Sequence, residues 1–319
     1  MKVYAYENKS EEIRKLSSSG GLFTTLATDV IKKGGIVYGA FFDDDWKVRH
    51  IGVDKIEDLS LLRKSKYVFS HLGDTLNEIK SHLAAKRNVM FTGTPCQVAA
   101  VKKYVGDTEN RLLCVEVVCH GAPQESLWSR YLNEILLQLN RTKKDILSID
   151  FRDKSNSWER YNFTINFKDG TIFTQLASSN IYMRLFLSDY ILREGCFRCQ
   201  FKYPNSHADI TLGDLWGIKQ LLPNADDRLG TSLVIIRTKN GAKAVEKIDF
   251  MKELSFDSVV TFNPALTTKA LKPRKYQRFN KYMNKGMEII PLGERILRPN
   301  FVIRGLRGVK NGIVKLIKR

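Results

Sequence analysis

Cysteine is scarce in this chain, with five in 319 residues, and the odd number argues against a disulfide framework. No stretch approaches 18 consecutive apolar residues, so the sequence offers no transmembrane helix. The opening Met1-Lys2-Val3-Tyr4-Ala5-Tyr6-Glu7 is charged and too poor in apolar residues for a signal peptide. These absences point to a reducing cytoplasm, where cysteines serve more often as ligands or catalysts than as cross-links. There is no internal repeat and no low-complexity linker. With 43% hydrophobic residues the chain can bury a large core, divided between two lobes.

Acidic residues are almost missing from the C-terminal region. From Lys269 onward there are 15 Lys or Arg against only Glu288 and Glu294, which is +13 of the total +18. The basic character therefore belongs to a tail over 269–319, and the pI says little about the main fold. Within it, Val302, Leu306, Val309, Ile313 and Leu316 recur three or four apart among cations. That spacing predicts a basic amphipathic helix, suited to an anionic membrane surface at the inner face. Gly305, Gly308 and Gly312 oppose it, each costing about 1 kcal/mol in a helix interior. The alternative is a tail packed on its own domain or on a partner subunit. Nucleic acid is not expected, because the segment lacks the interleaved aromatics of a stacking platform.

The rest of the chain alternates. Helical spacing covers Leu22 to Lys33, and strands are expected over Ile36 to Phe42 and Val48 to Val53, across an Asp43-Asp44-Asp45 turn. A helix near Thr75 to Lys86 leads to a strand over Asn88 to Thr92, a helix over Gln97 to Tyr104, and a buried strand over Leu112 to Val118. Strand, glycine-marked loop and helix in succession is α/β grammar. From Ile146 the texture changes to short strands, including 161–167, 171–175, 208–213 and 232–237. The expected fold class is thus α/β, a mixed sheet with flanking helices. An α+β second lobe carries the CxxC segment, and a basic helical tail follows. The lobes span 1–145 and 146–268.

Four cysteines sit in short, marked segments: Thr92-Gly93-Thr94-Pro95-Cys96-Gln97, Cys119-His120-Gly121 and Cys196-Phe197-Arg198-Cys199. A tight turn brings two thiols spaced by two residues to one side, and two strand-end cysteines can complete a four-thiolate set. That set can hold a [4Fe–4S] cluster or a zinc ion. Cys114, inside the apolar run, reads as a small buried hydrophobe. Cys96 at a helix start lies where a thiolate is stabilised, or is an inert residue in a well-made turn. Ser17-Ser18-Ser19-Gly20-Gly21 before a helix can cradle a phosphate or pyrophosphate, or can be an ordinary N-cap. His120 can hydrogen-bond a flavin or substrate or act as an acid, although a lone histidine is usually structural. Asp209, Asp214 and Trp216 line a cofactor pocket or form the polar corner of a hairpin.

Taken in order, Ser18-Ser19-Gly20-Gly21, Ser65-Lys66-Tyr67, Phe91 to Gln97, Val118 to Gly121, Phe151-Arg152-Asp153-Lys154, Cys196 to Cys199 and Asp209 to Gly217 form one series. This series resembles the coenzyme F420 hydrogenase/dehydrogenase beta-subunit family, over about residues 17 to 240. The resemblance implies a flavin-dependent iron–sulfur oxidoreductase acting on a small organic molecule. Relatives encoded with polysaccharide-biosynthesis enzymes extend that expectation to glycan assembly. It implies FAD or FMN beside Ser18, Ser19, Gly20, Gly21, Lys66, Thr92, Gly93, Thr94 and Asp214. It also implies one [4Fe–4S] cluster on Cys96, Cys119, Cys196 and Cys199, with His120 catalytic. Many relatives carry a ferredoxin-like cysteine segment near the start, and this chain begins almost directly at the flavin-type loop. The expectation is therefore an external electron donor, such as a ferredoxin or a partner subunit. The competing expectation is a non-catalytic zinc-binding accessory of a membrane-associated glycan assembly.

Overall fold

The computed structural model describes residues 1–298 apart from 107 and 109, so the amphipathic segment expected over 302–319 lies outside the described residues. The strands are β1 (Lys2–Tyr6), β2 (Ile36–Phe42), β3 (Val48–Val53), β4 (Val89–Gly93), β5 (Leu112–Val117), β6 (Ile146–Asp153), β7 (Asn162–Phe167), β8 (Ile172–Leu176), β9 (Ile210–Asp214), β10 (Ser232–Ile236) and β11 (Lys252–Leu254). The helices begin with α1 (Glu11–Lys15), α2 (Leu22–Lys32), α3 (Leu59–Leu62), α4 (Thr75–Ala84), α5 (Pro95–Val105) and α6 (Glu125–Gln138). They continue with α7 (Ile181–Leu187), α8 (Ile218–Leu221), α9 (Lys239–Ala244), α10 (Phe256–Phe262), α11 (Tyr276–Asn284) and α12 (Ile289–Leu297). Among the described residues, no helix is long and apolar enough to cross a membrane.

Eight strands form one mixed sheet in the order β11-β1-β10-β9-β5-β4-β2-β3, and β6-β7-β8 form a separate antiparallel sheet. The middle of the large sheet is parallel, β2 to β4 to β5 to β9, while its flanks are antiparallel. Period-two alternation explains the layers. Ile36, Tyr38, Val89, Phe91, Leu112 and Cys114 face one core with Ile79 of α4 and Val98 and Val101 of α5. Val37, Met90, Leu113 and Val115 face the other, against Leu22, Leu26 and Ala27 of α2. The fold class expected from the sequence is the one observed. The 145/146 boundary, however, does not separate the sheets. β9, β10 and β11 return to the large sheet because β5 would otherwise present an unpaired parallel edge, and β9 fills it.

The small sheet packs on α6 and α7 through buried aromatics that include Trp128, Tyr131, Phe151, Phe163 and Tyr182. The described part of the stretch read as a tail joins this core through Tyr276, Phe279, Met283, Ile289, Leu292 and Ile296. Its helix ends need partners for orphan backbone groups, and α6 supplies them. The Glu134 carboxylate accepts from the N–H groups of Ile289 (2.6 Å) and Ile290 (2.8 Å), and Arg130 donates to Met283 O (2.6 Å).

Candidate functional site

The serine–glycine loop is built by close approach. A Cβ on Gly20 would lie 2.2 Å from Tyr6 O and 2.6 Å from Ser232 N, so only glycine fits between β1 and β10. Gly20 N–H donates to Ser232 Oγ (3.0 Å), and Gly20 O accepts from Asn8 N (2.8 Å). Gly21 has φ +88° and precedes α2 without a side-chain cap. The hydroxyls tie the loop to its neighbours: Ser17 Oγ donates to Ile13 O (2.7 Å) and Ser19 Oγ to Thr231 O (2.7 Å). Ser18 Oγ accepts from Ser65 N–H (2.8 Å), locking this loop to the one that carries Lys66. What the loop presents to an anion is therefore α2's backbone N–H groups, with Ser18 and Ser19 fixing their position.

Cations crowd this loop. Asp150 and Arg152 alternate along β6 and so share a face, with Lys154 one step beyond the strand end. The Arg152 guanidinium is buried. It donates to Asp214 Oδ2 (2.7 Å), Tyr67 OH (3.3 Å) and Trp158 O (3.3 Å), and lies 4.2 Å from the Tyr161 ring centroid. Burial works against its charge, but Asp214 and the two tyrosines outweigh burial and hold its pKa above the ordinary arginine value. Among the described residues Lys154 donates to the carbonyls of Arg14 (2.7 Å), Ser19 (3.3 Å) and Leu229 (2.6 Å). Burial first, then the Arg152 charge, lowers its pKa to about 8, against the pull of Asp214. Lys66 keeps some exposed surface, yet its ammonium lies deep and donates to Arg63 O (2.9 Å). Burial pushes it down to about 7, with Lys64 adding and Asp150 opposing. Lys64 itself pairs with Asp150. Four cations thus face two carboxylates, an excess that suits a phosphate or diphosphate.

The sequence-predicted Lys66 and Asp214 meet here, Asp214 as the partner of Arg152. Arg152 and Lys154 were not among the expected cofactor contacts, although their spacing along one strand face was a usable signal. Asp209 has a structural job instead. It accepts from Cys114 N (2.8 Å), Thr238 Oγ1 (2.7 Å) and Lys102 Nζ (3.1 Å), forming the polar corner.

On the adjoining loop, Thr92 Oγ1 donates to Tyr38 O (2.9 Å), and His50 Nε2 donates to Thr92 O (3.0 Å). Burial drops His50 to about 4, so it is neutral, and its Nδ1 is buried with no hydrogen-bond partner among the described residues. Nothing in the sequence marked His50. Thr94 N–H donates to Gln97 Oε1 (2.9 Å), fixing the turn after Gly93, and Thr94 Oγ1 lies 3.2 Å from Cys96 Sγ.

The four marked cysteines approach one another. Cys96 is exposed at the start of α5, Cys119 follows β5, Cys196 lies within a 3₁₀ turn over 194–198, and Cys199 caps that turn. Ala122 N–H points at Cys196 Sγ (3.4 Å). Burial pushes the Cys119 thiol up to about 12. Lys202 opposes the rise, while Cys96, Cys196 and Cys199 add to it, which puts all four thiols in one electrostatic neighbourhood. Lys202 donates to Cys119 O and to Ala265 O (2.7 Å). No three His, Cys, Asp or Glu side chains among the described residues close around a single-ion site. Cys114 is fully buried in the sheet core, with its thiol also pushed to about 12 by burial, and is chemically quiet.

His120 Nε2 pairs with Asp189 Oδ1 (2.7 Å), and its ring meets Phe186 edge-on at 5.2 Å. Phe186 stacks on Tyr67 at 4.9 Å, and Tyr67 OH accepts from Arg152. A row of side chains therefore runs from His120, the residue after Cys119, to the cationic loop. A cleft of about 460 Å³ opens beside the cysteine turn, lined by Phe69, His71, Gln124, Glu125, Arg193, Glu194 and Gly195.

The family described as the carboxy-terminal part of the coenzyme F420 hydrogenase/dehydrogenase beta subunit matches residues 86–261. That span contains all four clustered cysteines as well as Arg152 and Asp214. Among solved structures, a chain of the F420-reducing [NiFe] hydrogenase complex from Methanosarcina barkeri is similar, with a TM-score of 0.55 and 19% identity. The match covers 89% of this chain and 91% of that one, a likeness of fold. No curated protein matches.

Proposed function

The chain belongs to the coenzyme F420 hydrogenase/dehydrogenase beta-subunit family, and from that premise we propose that it is a flavin-dependent iron–sulfur oxidoreductase acting on a small organic molecule. The observation that carries this reading is the pairing of two sites: a cation-rich glycine loop and a four-cysteine cluster, linked through His120, Phe186 and Tyr67. The residues fit both groups. Lys66, Lys154 and the α2 N-terminus would hold the flavin phosphates, with Thr92, Gly93 and Thr94 beside the ring. Arg152 keeps that region positive, and Asp214 keeps Arg152 in place.

Cys96, Cys119, Cys196 and Cys199 would ligate one [4Fe–4S] cluster. The four cysteines lie in one electrostatic neighbourhood, and a [4Fe–4S] cluster takes one thiolate per iron. When bound, a flavin exchanges electron pairs with an organic substrate and single electrons with a cluster. The protein's part is to orient both groups and keep His120 hydrogen-bonded to Asp189 at the junction, next to the half-buried Cys119.

The test is anaerobic purification with absorption spectroscopy and with iron, sulfide and zinc assays on one sample. Flavin absorption together with about four irons and four sulfides per chain is the expected outcome. A colourless protein holding zinc and no flavin, even after reconstitution, overturns the reading in favour of a zinc-binding accessory.

A further inference from the structure

We propose, resting on the redox reading above, that the exposed cationic rim beside the cysteine turn is a docking surface for an acidic one-electron carrier protein. Segment 264–275 runs along that turn. Tyr203 N–H donates to Leu266 O (2.9 Å), Lys202 reaches Ala265 O, and the Lys272 ammonium lies 5.6 Å from the Phe197 ring centroid. Arg198, Lys269, Lys272 and Arg274 are all exposed there. Glu194 is the acid among them; it pairs with Lys272 and feels Arg198. Lys269 and Arg274 have no ion-pair partner among the described residues, so the four cations against Glu194 leave a local excess of positive charge beside the turn.

Leu271, 72% exposed, lies between Lys269 and Lys272 in the chain. An exposed apolar residue among charges that are mostly of one sign is the anatomy of a transient protein interface, in which the charges steer the partner and the apolar part is desolvated. Position selects the partner's chemistry. The rim surrounds the turn holding Cys196 and Cys199, so a carrier seated on it is brought against two of the four thiols. A lipid surface would ask for more apolar residues than Leu271, and a nucleic acid would ask for exposed aromatics to stack on.

The full-length protein, purified anaerobically, is titrated with a plant-type [2Fe–2S] ferredoxin, an acidic carrier, at low and high salt. The wild type is expected to bind, and to bind more weakly as salt rises. The triple variant Arg198→Glu, Lys269→Glu, Arg274→Glu is expected to bind at least about tenfold more weakly and to lose most of the salt dependence. A control reversal at Lys32, Lys243 and Lys247 should leave affinity unchanged. No binding by the wild type, binding insensitive to salt, or equal weakening by the control overturns the proposal. So does binding of phosphatidylglycerol vesicles through the same three residues with no affinity for ferredoxin. Iron and flavin are assayed on the same sample. A loaded protein that ignores ferredoxin sinks the docking surface alone, while a protein with neither cofactor sinks the redox reading itself.

Discussion

Replacing Asp214 by alanine leaves the Arg152 guanidinium buried with no carboxylate beside it. Arg152 is 3% exposed, its ion pair with Asp214 spans 2.7 Å, and the Asp214 side chain is itself 14% exposed. Stranding a buried charge costs about 3–5 kcal/mol. The tyrosine and tryptophan rings around Arg152, at 4.2 Å and 5.7 Å, offset part of that, which places the expected loss near the lower bound, about 3 kcal/mol. For a chain of this size about 2 °C of melting temperature goes with each kcal/mol, so Asp214→Ala should melt about 6 °C below wild type. The comparison belongs in cofactor-stripped protein, where lost ligand binding does not contribute. Adding Arg152→Met to the same background removes the stranded charge and should recover at least half of the loss. A drop under 2 °C for Asp214→Ala, or a double variant less stable than the single, would refute the reasoning that the pair is held together by charge compensation.

Cys196→Ser should lower bound iron and sulfide sharply, whereas Cys114→Ser, altering a sulfur sealed in the sheet core, should keep both; equal loss in the two variants would remove the four-cysteine assignment. Lys66 titrates near about 7 in the fold against about 10.4 in an unfolded chain. The unfolded state therefore binds more protons between those values, and stability rises with pH across that window. Lys66→Met should flatten that part of the profile in urea unfolding measured from pH 6.5 to pH 10, and an unchanged slope would show that Lys66 is not held in an unfavourable charged state.

Much of the large sheet was legible, because its strands alternate cleanly between two apolar faces: Ile36 to Phe42 and Val48 to Val53 are strands over those residues. The short β1 was not, since Lys-Val-Tyr-Ala-Tyr has no long pattern and its partners lie more than 220 residues away. α6, with Leu127, Trp128, Tyr131, Leu132 and Ile135 on its buried side, was not among the expected elements, and which sheet it covers is settled only by packing. At the site, glycines and cysteines announce themselves because few other residues can do their work. Arg152, Tyr67, Phe186 and His50 belong to residue types found anywhere. What marks them is a partner far along the chain, such as Asp214, 62 residues after Arg152, and distance of that kind is settled by packing.

The return of β9 to the edge of β5, and of β10 and β11 to β1, also has a temporal side. As the chain leaves the ribosome, residues 2–6 must wait for residues 232–236 before any of their sheet hydrogen bonds to β10 can form. At about 5–20 residues per second, that is a delay of roughly 10–50 s, with an open strand edge throughout. A nascent chain stalled near residue 150 would expose the unmet edge of β5, an open template for wrong strand pairing until β9 arrives.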